Sequence, residues 1–424
     1  MALFFVCLLF SAGNIIAQGM LKPRVLISTD IGGTDPDDNQ SMIHLLMYAD
    51  QFQLEGLLST AFTTGSKQDI LDMISLYEKD LPLLNRKQTG FPHPDSLRRI
   101  CKQGARTGAP YKGYRQATEG SDWIIHCARK SAARPLWVLV WGGLEDVAQA
   151  LHDAPDIKHS IRVYWIGGPN KKWGVNAYAY IASAHPDLWM IEANATYRGW
   201  FMDASSPASM KGNVYYANYI KGKGAMGADF IKYYAGVIKM GDTPSLAYLM
   251  NGNPEQPEGE SWGGSFQKIQ RSSRTIFRRP SSITDTVATY AVIEWQFKGP
   301  RRRIHPDSVC FNLEVSGQQW PGYYLGRGKY AVRYSPKQVE TASYKTISHI
   351  SALNGHTGQY VSVAPWPGKA GSGDYLLGNN WYSDCPGKDL FIGQQQGAVT
   401  VARFREAFLM DWARRWEWLE AKLP

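Results

Sequence analysis

Four carboxylates, Asp30, Asp35, Asp37 and Asp38, fall within nine residues of the chain, in the stretch Ile27-Ser-Thr-Asp-Ile-Gly-Gly-Thr-Asp-Pro-Asp-Asp-Asn39. Carboxylates so crowded repel one another and shift their pKa values unless a proton or a cation lies among them. Oxygen donors of this kind suit a hard cation such as calcium, which takes about six to eight oxygen ligands. No Cys/His cluster competes, so calcium is favoured over zinc. An acidic surface turn built on Gly32-Gly33 and Pro36 is the plainer reading of the same residues.

The surrounding elements decide between the two. Residues 24–29 read as a strand, so the acidic stretch stands at its C-terminal end, with a helix over 40–49 behind it. Strands at 52–60, 136–141, 161–166 and 188–193 alternate with helices at 67–79, 121–131, 144–151 and 177–184. Glycines follow the strands, as in Gly142-Gly143 and Gly167-Gly168. This alternation predicts an α/β fold, a mostly parallel sheet covered by helices. Ligands of such sheets bind outside the C-terminal strand ends.

Beyond residue 270 the pattern changes. Short strands at 287–295, 308–315, 330–334, 341–347 and 360–363, punctuated by Gly326-Arg-Gly-Lys329 and Asn354-Gly-His-Thr-Gly358, predict a β-sandwich. Residues 366–395 read as linker or loop. Residues 400–419 form an amphipathic helix whose apolar face requires a large partner. The division expected is an α/β domain over 22–280, a β-sandwich insertion over 284–365, the linker, and a C-terminal segment at 396–424 that packs back on the α/β domain.

The apolar run at residues 2–12, with Ala17 as a cleavage point, reads as a signal peptide over 1–17, and a secreted or periplasmic location is expected. No stretch is long and apolar enough for a transmembrane helix. Past the leader, Cys101, Cys127, Cys310 and Cys385 match no zinc spacing. The formal charge of +9 is spread out, with clusters only at Arg278-Arg279 and Arg301-Arg302-Arg303. Without a recognition motif it argues against nucleic acid and for acidic glycans or the cell envelope. The 15 Trp and 23 Tyr suit sugar stacking, although large aromatics chiefly fill cores.

The pattern Asp30-x6-Asp37-Asp38 between a strand and a helix resembles the signature of the nucleoside hydrolases. Its long loop and Gln40-Ser41 resemble the secreted nucleoside-hydrolase-like branch often described as cellulose-binding. Trp141-Gly-Gly-Leu-Glu-Asp146, Trp173-Gly-Val-Asn176 and Gly241-Asp242-Thr-Pro-Ser-Leu246 match further motifs, and residues 284–365 resemble an immunoglobulin-like domain found beside glycan-degrading enzymes.

The resemblance implies Asp30, Asp38 and Asp242 as calcium ligands, joined by a main-chain carbonyl near Glu145. It implies Asp30 and Asp37 as catalytic, Asp30 beside the attacking water and Asp37 orienting the water or a ring hydroxyl. Asn176 and Trp173 are its expected sugar contacts, and Asp35 is taken as a loop residue. The substrate class implied is a carbohydrate or a small nucleoside-like molecule, and an oligomer is compatible with the sequence. Two departures turn the reading away from ordinary nucleosides. Gly241 stands where nucleoside hydrolases commonly carry a His, and Thr63-Thr-Gly-Ser66 stands where a sugar-binding Asn is expected. A hydrolase of N- or O-glycosidic bonds is therefore expected, with a non-catalytic carbohydrate-binding protein as the alternative.

Overall fold

The computed structural model describes residues 21–60, 64–130, 133–204 and 206–420. The expected signal peptide lies outside the described residues. The first half of the chain runs β1 (Arg24–Thr29), α1 (Asp37–Met47), β2 (Gln53–Ser59), α2 (Lys67–Leu84), α3 (Pro94–Arg99), β3 (Cys101–Gln103), α4 (Glu119–Arg129) and β4 (Leu136–Val140). It continues with α5 (Glu145–Asp153), β5 (Ile161–Ile166), α6 (Gly168–Trp173), α7 (Val175–Ala184), β6 (Met190–Ala193), α8 (Gly224–Phe230), α9 (Thr243–Met250) and β7 (Phe266–Lys268). Every residue of β1 and β4 is buried, as expected of strands covered by helices on both faces.

The sheet runs β3-β2-β1-β4-β5-β6, then the strand Trp381–Asp384, then β7. All pairs are parallel except the last, in which β7 runs antiparallel to Trp381–Asp384. The chain steps outward from β1 to β2 and β3, then crosses back to β4. The switch point, where a doubly wound sheet opens a crevice, therefore lies between β1 and β4. Asp30 and Trp141-Gly142 follow those two strands. Their close approach requires Gly142, since a Cβ there would lie 2.9 Å from that of Asp30.

The second domain is one eight-stranded sheet. Its order is Thr286–Ala288, Thr357–Val363, Glu340–Ile347, Val309–Val315, Gln318–Tyr324, Lys329–Tyr334, Val292–Lys298 and Arg274–Phe277. It folds over on itself. Trp295, next to one edge, packs 4.7 Å from Tyr344 and 6.0 Å from Tyr360, which belong to strands near the other edge.

Several expected boundaries move. The strand expected over 287–295 is two strands, because Tyr290 turns the chain at φ 65 and donates its N–H to the Pro336 carbonyl at 2.7 Å. Gln318–Tyr324 was hidden by Pro321 and Gly322; a Cβ on Gly322 would meet the Phe311 ring at 2.2 Å. Arg274–Phe277, within the stretch assigned to the α/β domain, pairs instead with Val292–Lys298. The expected linker is also corrected, since Trp381–Asp384 inserts between β6 and β7. Its glycine-rich flanks masked a strand whose partners are remote in sequence.

The helix expected over 400–419 is broken into α10 (Val399–Ala402) and α11 (Arg405–Trp416). It does pack back as its apolar face requires. Phe408, Leu409, Trp412 and Trp416 share a core with α1, α2 and β1. The four cysteines among the described residues are unpaired, and three of them are buried.

Candidate metal centre and its cavity

Asp30 leaves β1 in a tight turn in which its carbonyl accepts the Gly33 N–H at 3.0 Å. Gly32 holds φ +83 where a Cβ would strike the Asp69 carboxyl at 2.7 Å. The chain then enters α1 with Asp37 and Asp38 in the first turn, where the helix dipole favours negative charge. The Thr29 hydroxyl donates to Asp38 and accepts the Ile31 N–H at 3.1 Å. Asp38 is thereby anchored to the end of β1.

Asp242 arrives from the far side of the crevice. Trp141 donates its indole N–H to Ser245 at 2.8 Å, and the Ser245 hydroxyl donates to the Asp242 carbonyl at 2.7 Å. Asp242 caps α9, yet its side chain makes no capping bond, and its buried Oδ2 has no hydrogen-bond partner. A capping Asp ordinarily accepts a backbone N–H of the first turn. Here that oxygen is left for something else.

Carboxylate oxygens of Asp37, Asp38 and Asp242 all lie within 4.8 Å of one another. Asp30 joins them through a hydrogen bond between its carboxyl and that of Asp38. Burial, then the charges around it, pushes Asp37 up to about 7, and burial pushes Asp30 up to about 6. Asp38 and Asp242 are held well above the usual carboxylate range, first by burial and then by neighbouring carboxylates. An all-oxygen donor set with an orphaned oxygen and mutual repulsion fits a hard cation.

The cluster forms the floor of a cavity of about 550 Å³ whose wall includes Glu145, Trp173, Tyr197, Arg198 and Lys239. Glu145 begins α5, and burial pushes its carboxyl up to about 7. Gly143 makes room for it, since a Cβ there would lie 1.9 Å from Glu145 Oε2. Trp173 is half-buried and stacks on Trp320 of the second domain at 5.3 Å. It both borders the cavity and joins the domains.

Asn176 does not reach the cavity. Its amide donates to the Ala109 carbonyl at 3.1 Å and accepts from Arg333 at 3.4 Å, so it secures a loop to the second domain. Asn170, within α6, borders the cavity in its place. Asp35 is exposed and pairs with Lys239, in keeping with a loop residue.

Sequence reading missed Lys239 and Gln40. The Lys239 ammonium also lies 3.7 Å from Asp37; burial draws its pKa down, but Asp37 and Asp35 outweigh this and hold it up. The buried Gln40 side chain donates to the Val237 carbonyl at 2.8 Å and accepts the N–H groups of Lys239 at 2.9 Å and Met240 at 3.1 Å. It ties α1 to the segment that delivers Asp242. Its place two residues after the Asp pair was the available signal.

Gly241 is enforced sterically, since a Cβ there would lie 2.4 Å from Asp37 Oδ2. Gly241→Ala is expected to displace Asp37 and weaken cation affinity by about tenfold, the range of second-shell changes, with the fold retained. Titration calorimetry beside a melting curve checks this.

Residues 24–266 match the family model described as cellulose-binding Sde182, nucleoside hydrolase-like domain, which is more than half of the chain. Residues 286–349 match a domain of unknown function, DUF5060. No curated protein matches the chain. Among solved structures, the chain is similar to a nucleoside hydrolase-related hypothetical protein from Saccharophagus degradans that is associated with carbohydrate metabolism. That match has 18% identity and a TM-score of 0.49, covering 80% of this chain and 99% of the other. An inosine-uridine preferring nucleoside hydrolase from Bacillus anthracis matches at 16% identity and a TM-score of 0.39, covering 60% of this chain and 87% of the other. The family match over β1 to β7, the strands and helices that carry the acidic cluster, shows that this chain belongs to the Sde182 cellulose-binding family through its nucleoside-hydrolase-like domain.

Proposed function

We propose that this protein is a secreted or periplasmic, calcium-dependent hydrolase of N- or O-glycosidic bonds, acting on a glycan or a ribose-like sugar. The observation that carries the reading is the convergence of Asp37, Asp38 and the orphaned Asp242 oxygen on the floor of a large cavity. Calcium, when bound, supplies the charge that lets these carboxylates ionise together and acidifies a neighbouring water. Asp30, beside Asp38 at the end of β1, is placed to take a proton from that water once it is ionised. Asp37 is placed to orient the water or a ring hydroxyl, with Lys239 steadying its charge. The negative floor stabilises the oxocarbenium character that develops at the anomeric carbon. Trp173 offers an apolar face to the sugar.

A second reading, carbohydrate binding without turnover, is favoured by Gly241, since no imidazole borders the cavity among the described residues to assist a leaving group. Assay of glycan and nitrophenyl glycoside panels separates the two. Release of reducing ends or nitrophenol that stops on chelation of calcium supports the hydrolase. Retention on insoluble polysaccharide with nothing released supports the binder.

A pH dependence follows from the raised carboxyls. Because Asp30 and Asp37 hold protons up to about 6 and 7 in the folded state, against about 4 when unfolded, the folded state binds more protons. Stability of the calcium-free protein is therefore lost as pH rises from about 4 through 7. Calcium is expected to raise the melting temperature strongly at pH 8 and little at pH 5, as read by a calcium titration of thermal unfolding.

A further inference from the structure

The cavity has two electrical ends. Its floor is acidic, but the side toward the second domain is basic. Arg198 and Lys337 border the cavity with Gln318, and Lys337 and Gln318 belong to the second domain. Lys172 stands behind them, almost wholly buried, with its ammonium donating to Gln318 at 2.7 Å. Burial and then the charge of Lys337 hold Lys172 below the ordinary lysine value, against the pull of Glu340. Tyr290 fixes the backbone beside Lys337, donating its N–H to the Pro336 carbonyl at 2.7 Å.

Arg198, Lys337 and Lys172 thus stand on this side with no ion pair among the described residues, although the charges of Asp37 and Glu340 act on Arg198 and Lys172. Half-buried Arg198 donates only to the Tyr197 hydroxyl, at 3.0 Å, and forms no ion pair among the described residues. Lys337 forms none either. Glu340, on the second-domain side, is engaged by the Tyr360 hydroxyl at 2.9 Å and by Gln338 at 3.0 Å. Like charges drawn together in a partly desolvated wall cost free energy unless an anion joins them. A guanidinium with free N–H groups suits a planar or tetrahedral oxyanion.

We propose that the saccharide taken by this cavity is acidic, a sugar carrying a carboxylate or a sulfate ester. Arg198, Lys337 and Gln318 read the anionic group while the sugar ring lies toward Trp173 and the acidic floor. This rests on the reading of the cavity as a glycan site, and it gives the second domain a part in substrate choice.

The test is calorimetric binding of three trisaccharides to the full calcium-loaded chain: a galacturonate trisaccharide, a sulfated galactose trisaccharide and neutral cellotriose. At least one acidic probe is expected to bind about tenfold tighter than cellotriose, with the preference lost in Lys337→Glu. The carboxylate and sulfate arms tell which anion is read. Lys337 is exposed, so the exchange leaves the fold intact, and calcium affinity is expected to stay unchanged. Equal binding of all three sugars overturns the proposal. So does a Lys337→Glu protein that keeps its sugar preference but binds calcium differently, since the cations then merely balance the acidic floor. Acidic sugar bound without hydrolysis keeps this inference and refutes the hydrolase. Hydrolysis without charge preference does the reverse.

Discussion

Asp38→Asn is expected to abolish calcium binding and glycoside turnover together. Asp38 is the most enclosed of the crowded carboxylates beside β1, touching the Thr29 hydroxyl on one side and the Asp30 carboxyl on the other. The amide keeps an acceptor for Thr29 but removes the charge. Loss of a direct ligand should exceed the roughly 10–100-fold cost of second-shell changes, so affinity is expected to fall by more than about 100-fold. The same exchange should make the calcium-free protein melt higher than wild type at alkaline pH, because the amide cannot ionise where burial and neighbouring carboxylates oppose the Asp38 charge. A variant that turns over at the wild-type rate, or melts lower without calcium, contradicts the assignment.

Trp412→Ala is expected to carry the largest stability loss, about 3–5 kcal/mol by the usual cost of emptying a large aromatic site. Trp412 is fully buried, with its ring 5.5 Å from His44, 5.7 Å from Phe230 and 5.3 Å from Trp416. Around it α11 grips the end of α1. Tyr48 donates to Asp411 at 2.5 Å, and Arg415 donates to the Met47 carbonyl and to Asp50, both at 2.6 Å. Since α1 begins with Asp37 and Asp38, the same clamp steadies the metal centre. Denaturant unfolding measures the loss, and a change below about 1 kcal/mol would mean that α11 is not part of the cooperative core.

What the sequence discloses divides along a physical line. Features set by near neighbours are legible. Val25-Leu26-Ile27 is an uninterrupted apolar run just before Asp30, and the structure has β1 there. The Asp pair opens a helix because its neighbours form a helical stripe. Asp242 could be placed through the motif around it, and its oxygen does meet those of Asp37 and Asp38.

Features set by remote partners are not legible. Gln40 binds the main chain of Lys239, 199 residues away, and its place after the Asp pair marks the residue without disclosing that partner. Trp381–Asp384 is a strand only because β6 and β7 leave a slot for it. Asn176 was misread because its spacing fixes its place in α7 but not what its amide meets, which is Ala109 and Arg333. The place of Arg198 in a basic wall depends on Lys337, which the second domain brings to the same cavity.

A crystal grown in calcium and measured for anomalous scattering tests the metal centre most directly. One peak is expected on the cavity floor, with oxygens of Asp37, Asp38 and Asp242 at about 2.3–2.6 Å from it. The Asp30–Asp38 hydrogen bond should then be broken, because both groups are ionised. A cavity floor with no peak at saturating calcium, and with the Asp30 and Asp38 carboxyls still sharing a proton, contradicts the account.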